Sequence, residues 1–313
     1  MKRKLIKQGQ GGLTITLPIK WIREYNLDSN PSQEIELTQT PQGILITAEI
    51  AKREKTINVD LKNYDKRMIL NILNQSYRLG SDTIHIKYTK NEQLKIVEEI
   101  ARDVLLGFEI TTNKDKFCII QNIAEPDPEK FDIIMRKVFL QILELSTKTT
   151  ESLIAKEKSH QDKKSTKNKE DFATTKHQID KLTNYCRRTV LRSQLSNPKT
   201  VFLYDILSKL SLISHAYIYL YNTHHKKPSQ IPKEIEFHIQ KTNTYLRQFY
   251  EAFYKKDLDL LNNISNEKEQ LQHENDTLLE KSKGTQNIIL AYAREIIRLI
   301  HMCSPAAIGY YLE

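Results

Sequence analysis

The alternation of apolar and polar side chains divides the chain into stretches of different period. From Leu13 to Leu17 large apolar residues alternate with threonines. That period places Leu13, Ile15 and Leu17 on one face of a strand and the hydroxyls on the other. Pro18 has no N–H to give a ladder and ends the strand. Residues 19–27 have helical spacing, with Ile19, Ile22 and Leu27 on an apolar side, Trp21 at its edge, and Lys20, Arg23 and Glu24 toward water. Residues 28–32 read as a turn. Alternation returns at 34–38 and 44–47, joined through Thr40-Pro41-Gln42-Gly43 as a hairpin. Residues 1–50 thus predict strand, short helix, strand, strand. So few apolar side chains cannot bury a sufficient core in one copy, whereas two copies that exchange strands can.

The period changes after a charged connector at 51–55. Residues 56–61 alternate, 65–79 carry Met68, Ile69, Ile72, Leu73 and Leu79 at helical spacing up to Gly80, and 83–88 alternate again. A second helix is predicted at 91–106, closed by Gly107, and a hairpin at 108–112 and 117–121 across Asn113-Lys114-Asp115. The order βαβαββ is a small α/β domain over 56–124. It has no glycine-rich phosphate turn, so it reads as a spacer or dimer-stabilising domain.

Glu125-Pro126-Asp127-Pro128 marks a boundary, with Asp127 as helix cap. Residues 127–313 then predict six helices. The first spans 128–158 with a stripe beginning at Ile133 and Ile134. Lysine-rich residues 160–169 read as a loop or frayed end. The second helix spans 170–195, the third 199–223 and, after a loop at 224–232, the others 233–255, 257–281 and 285 onward, with Pro305 as a kink. Helices of roughly 25 residues and 40 Å with short connections predict two tandem three-helix bundles. The expected fold is therefore multidomain α+β.

Charge and cysteines narrow the function. The 313 residues carry a net charge of +9, which attracts nucleic acid or an anionic surface without choosing between them. Three scattered cysteines suggest neither a disulfide framework nor a cysteine metal site, in keeping with a reducing cytoplasm. No apolar leader stands at Met1, and no apolar run approaches the roughly 20 residues of a membrane span. A soluble, cytoplasmic protein without membrane insertion is expected.

One resemblance adds to this reading. The Gly9-Gln10-Gly11-Gly12 lead-in, Leu17-Pro18-x-x-Trp21-Ile22, Leu27 and Glu34-Ile35-Glu36-Leu37 resemble the swapped-hairpin DNA-binding module of the AbrB/SpoVT/MazE type. The match is nearest to the form fused to archaeal PhoU-like proteins. Where those modules carry Pro-Gly-Asp, this chain has Asn30-Pro31-Ser32-Gln33, a longer turn. The junction Ile119-Ile120-Gln121-Asn122-Ile123, Pro126-x-Pro128, Met135-Arg136-Lys137-Val138-Phe139 is similar to the fusion junction, and the six helices are similar to the PhoU fold. The resemblance implies a homodimeric phosphate-uptake regulator that contacts DNA through Arg3, Lys4, Lys7, Lys20 and Arg23. Arginine can read guanine edges while lysines hold phosphates.

The resemblance also implies metal-binding carboxylates on the bundle, and here the chain departs. The motif of the third helix reads Ser211-Leu212-Ile213-Ser214-His215-Ala216, with serines where the acids stand, and only Asp180 remains in the second. Neutral hydroxyls do not balance a multinuclear metal charge, so no metal and no cofactor are expected; Asp180 and His215 are the residual candidates. His224-His225 reads as a solvated loop, and residues 158–169 with Arg187 and Arg188 as a solvated basic surface. No nucleophile triad or paired catalytic acids occur, so no enzyme is expected. A second reading keeps residues 1–50 for dimerisation only and docks the helices on a phosphate-transporter ATPase or signalling kinase. An antitoxin is third, since antitoxins pair such a module with a disordered tail and here it leads into a large folded region.

Overall fold

The computed structural model describes residues 2–9, 11–29, 34–40, 43–48, 54–124, 126–154, 163–193 and 199–312. The chain is mixed α+β, mostly helical, and divides into two units, residues 1–54 and 55–313.

In the first unit, β1 (Ile6–Gln8) and β2 (Gly12–Thr14) form an antiparallel hairpin with Lys7 opposite Leu13. The sequence pattern missed β1, because three residues are too few to show a period. The glycines form the loop between these strands, with Gly9 at φ +64° and Gly11 at φ +109°, a region L side chains rarely enter. Helix α1 (Ile19–Glu24) is shorter than expected, and the chain leaves it through Asn26 at φ +51°. β3 (Ile35–Thr40) and β4 (Gly43–Ala48) pair with Leu37 opposite Ile46 and Gln39 opposite Ile44. Ile35, Leu37, Ile44 and Ile46 therefore share a face. The variant turn at 30–33 lies outside the described residues. No described residue of this unit is buried; Leu13 is 63% exposed and Ile44 68%.

The second unit opens with the expected βαβαββ order. β5 (Thr56–Asp60), β6 (Thr83–Lys87), β7 (Phe108–Lys114) and β8 (Phe117–Asn122) make one sheet in the order β5-β6-β8-β7, with only β5 and β6 parallel. α2 (Lys66–Arg78) and α3 (Asn91–Asp103) pack Ile69, Leu73, Tyr77, Val97 and Ile100 with Ile84, Ile86, Cys118 and Ile120 of the sheet. Asp65 caps α2 by accepting from the Met68 N–H at 2.9 Å, and Gly80 at φ +82° follows its end.

A 3-10 turn at Pro128–Lys130 begins at Asp127, whose carboxylate accepts from the Glu129 N–H at 3.0 Å. Six helices follow: α4 (Phe131–Ile154), α5 (Lys163–Ser193), α6 (Thr200–Lys226), α7 (Lys233–Lys255), α8 (Leu258–Lys281) and α9 (Thr285–Tyr311). The first three pack on one another, as do the last three, and α6 lies along α9, so a continuous apolar core joins the triplets.

The structure corrects three expectations. Residues 163–169 are the first turns of α5, because lysine favours a helix despite its density of charge. α6 runs on through His224 and His225. His224 is nearly buried with Nε2 3.2 Å from the Ser229 carbonyl, and His225 stacks on Tyr221 at 5.6 Å, so neither is a solvated loop residue. Ile133, first in the apolar stripe of α4, is 70% exposed. Among the described helices α6 alone is long and apolar enough to cross a membrane, and 56% of its most apolar window is buried.

Between α7 and α8, His238 is buried with Nε2 3.0 Å from Asn275 Oδ1 and Nδ1 3.8 Å from Glu274. Burial lowers its pKa below 6.5, outweighing the Asn275 bond and the Glu274 charge. The unfolded chain then takes up a proton at a pH where the folded chain does not, so stability falls as pH drops below about 6.5. Thermal unfolding should show a lower midpoint at pH 5.5 than at pH 7.5, and His238→Gln should reduce that difference; an equal difference in the variant would assign it to other groups.

Candidate nucleic-acid interface and the polar seam

The five predicted DNA-contacting residues sit on three pieces of the first unit. Arg3 and Lys4 lie in the segment before β1. Lys7 stands on β1, on the hairpin face that carries Leu13. Lys20 and Arg23, three residues apart, share a face of α1. All five are exposed, and among the described residues none pairs with a carboxylate. Residues 1–29 hold six basic side chains against Glu24 and Asp28. A charge excess held on short elements and unspent in ion pairs suits a polyanion. The strand position of Lys7 was not legible, because β1 was not.

The most elaborate polar cluster lies where sequence reasoning placed solvent. Arg188, on α5, is fully buried against the α/β domain. Its Nη1 donates to the carbonyls of Tyr77 at 2.7 Å and Ser81 at 2.8 Å, and its Nη2 to Asp82 Oδ1 at 3.3 Å. The guanidinium carbon stands 4.9 Å from the centre of the Tyr77 ring and 5.0 Å from that of Phe108, within cation–π range. One turn earlier, Asn184 accepts from Arg78 Nε at 3.0 Å and Nη2 at 2.6 Å, and donates to Asn74 Oδ1 at 3.1 Å. Lys181 donates to the Arg102 carbonyl at 2.6 Å. Arg187 is also buried, with Nη2 on the Leu207 carbonyl at 3.2 Å; burial, then the Arg78 charge, pushes its guanidinium down to about 10. A signal existed in the sequence: Asp180, Asn184 and Arg188 recur at a spacing of four, a polar line along α5.

The residual metal candidates meet across α5 and α6. His215 Nε2 is 3.3 Å from Asp180 Oδ1, while the Lys176 ammonium bonds the other carboxylate oxygen. Burial pushes the Asp180 carboxyl up, but His215 and Lys176 outweigh it and hold the group below the usual carboxylate range. The ammonium already supplies the cation that the carboxylate needs. Among the described residues no three His, Cys, Asp or Glu side chains gather as metal ligands. Ser214 is buried with its hydroxyl on the Ser211 carbonyl. Asp180 and His215 line a crevice of about 420 Å³ together with Arg78, Asn74 and Asn184.

Compared with protein-family models, with curated proteins and with solved structures, the chain matches none.

Proposed function

We propose that the protein is a cytoplasmic, non-enzymatic, PhoU-like regulator that binds DNA as a homodimer through residues 1–50. The observation that carries the reading is the state of the first unit: its apolar faces on β2 and on the β3/β4 hairpin are open, and its five cations have no carboxylate partner among the described residues. Open apolar faces on paired strands require a second copy to cover them, and the free cations suit phosphates. In the swapped-hairpin reading the two needs coincide, because closing the dimer gathers both sets of cations on one surface. The helical half would then sense an effector or dock a partner of phosphate uptake.

The decisive experiment is fluorescence anisotropy with a labelled duplex from the chain's own upstream region, run beside light scattering for oligomeric state. Arg3→Ala with Arg23→Ala should weaken binding at least about tenfold, since charged hydrogen bonds contribute about 1.5–3 kcal/mol each, while the dimer persists. Unchanged affinity at every salt concentration would remove these residues from the interface. A stable dimer that binds no duplex would favour the adaptor reading, in which the helices dock on a transporter ATPase or kinase. The serines at 211 and 214 in α6, where the resemblance implies acids, keep that reading open.

A further inference from the structure

A cleft of about 640 Å³ opens where the start of α4 meets the ends of α7 and α9. Its volume is within the range of small-molecule sites. The walls are aromatic and aliphatic: Phe253, Tyr254 and Tyr311 on one side, Ile133 and Leu140 on the other. Both face water, Ile133 at 70% and Leu140 at 48% exposed. Apolar side chains left open beside a ring cluster are a cost unless something covers them.

Three cations of the cleft select the occupant. Arg136 holds its guanidinium 4.3 Å from the centre of the Tyr254 ring and has no carboxylate or carbonyl partner among the described residues. Its donors are therefore free. Lys137 and Lys256 also line the cleft, against the single carboxylate of Asp132. Lys256 adopts φ +54° between α7 and the Asp257 cap of α8, a place where glycine would be unstrained; the chain has a cation there instead. Free guanidinium hydrogens and a positive balance await an acceptor.

We propose that this cleft binds a small amphiphilic anion, with an aromatic or acyl body between the α4 side chains and the ring wall and a carboxylate-type head on Arg136. The assignment concerns the helical half and stands whether or not the first unit binds DNA. The paired carboxylates of the crevice beside α2, where Lys66 bonds Glu99 and Lys176 bonds Asp180, make that cavity the poorer anion site.

The test uses the full chain and two dyes, 8-anilinonaphthalene-1-sulfonate and its uncharged analogue N-phenyl-1-naphthylamine. The sulfonate dye should bind saturably and be displaced by decanoate or by naphthoate. Arg136→Leu, which keeps an apolar cover on Tyr254, should weaken the anionic dye about tenfold, the loss of one charged hydrogen bond, and leave the neutral dye nearly unchanged. Ile133→Glu should weaken both. Arg136 and Ile133 are exposed, so circular dichroism and the unfolding midpoint of both variants should match the parent. Equal binding of the anionic dye by parent and both variants would overturn the proposal, because the dye would then sit elsewhere, for example on the open β-hairpins. Displacement by an acidic amphipathic peptide but by neither small carboxylate would overturn the small-ligand assignment as well.

Discussion

Replacing Arg188 with alanine is expected to destabilise the second unit by about 3–5 kcal/mol, the range found when one partner of a buried charged cluster is removed. The loss has two parts. The Tyr77 and Ser81 carbonyls lose a donor at 2.7 and 2.8 Å. The space between the Tyr77 and Phe108 rings empties, and a cavity of that size is not refilled by relaxation alone. Asp82 keeps Arg192 at 3.0 Å and the Lys55 N–H at 3.0 Å, so the acid is not orphaned, and this holds the expected cost below a full charge burial. Arg188→Lys should recover less than half of the loss. An ammonium reaches one carbonyl or the other, but it has no planar fork to span both and no plane to stack. Chemical denaturation followed by circular dichroism reads the effect, and the variant should separate an early transition of the α/β domain from that of the bundle. A cost under about 1 kcal/mol, within the ordinary scatter of single substitutions, would show that the seam is held by apolar packing and that Arg188 is dispensable.

The second large effect is the salt dependence of duplex binding. Each phosphate neutralised releases a counterion, so the logarithm of affinity should fall linearly with the logarithm of salt concentration. Five cations in each copy, Arg3, Lys4, Lys7, Lys20 and Arg23, make up to ten in a dimer. Interfaces that neutralise about six to ten phosphates weaken about 10³- to 10⁵-fold between 50 and 200 mM salt. Arg3→Ala with Arg23→Ala should flatten the slope by about one for each phosphate that is no longer neutralised. Anisotropy titrations at four salt concentrations measure both slopes. A shallow slope in the parent would mean that these cations do not meet a polyanion, and would leave the first unit as a dimerisation element.

How far the sequence reached depended on whether the cause was local. The βαβαββ order, the six helices and the cap at Asp127 were legible, because periodicity and capping act within a few residues. β1 was not, since three residues carry no period, and the start of α5 was hidden by lysines that favour a helix while resembling a solvated loop. For the candidate interface, the sequence named the five cations, and the role proposed for them rests on the resemblance. The structure added that they stand without carboxylate partners, among the described residues, in a unit whose apolar faces are open.

The remaining features belong to tertiary structure alone. Arg187-Arg188 reads as surface because nothing near it in sequence offers a partner; the carbonyls that bury Arg188 lie 111 and 107 residues away. The Asp180–His215 pair joins residues 35 apart on two helices. Ile133 reads as core, yet the ends of α7 and α9 stop short of covering it and leave a cleft beside the Arg136 guanidinium. Local pattern determined which segments are helix or strand and which face of each is apolar. Which polar side chains are buried, and which apolar ones stay open, was decided only when distant segments came together, because burial is a property of neighbours in space.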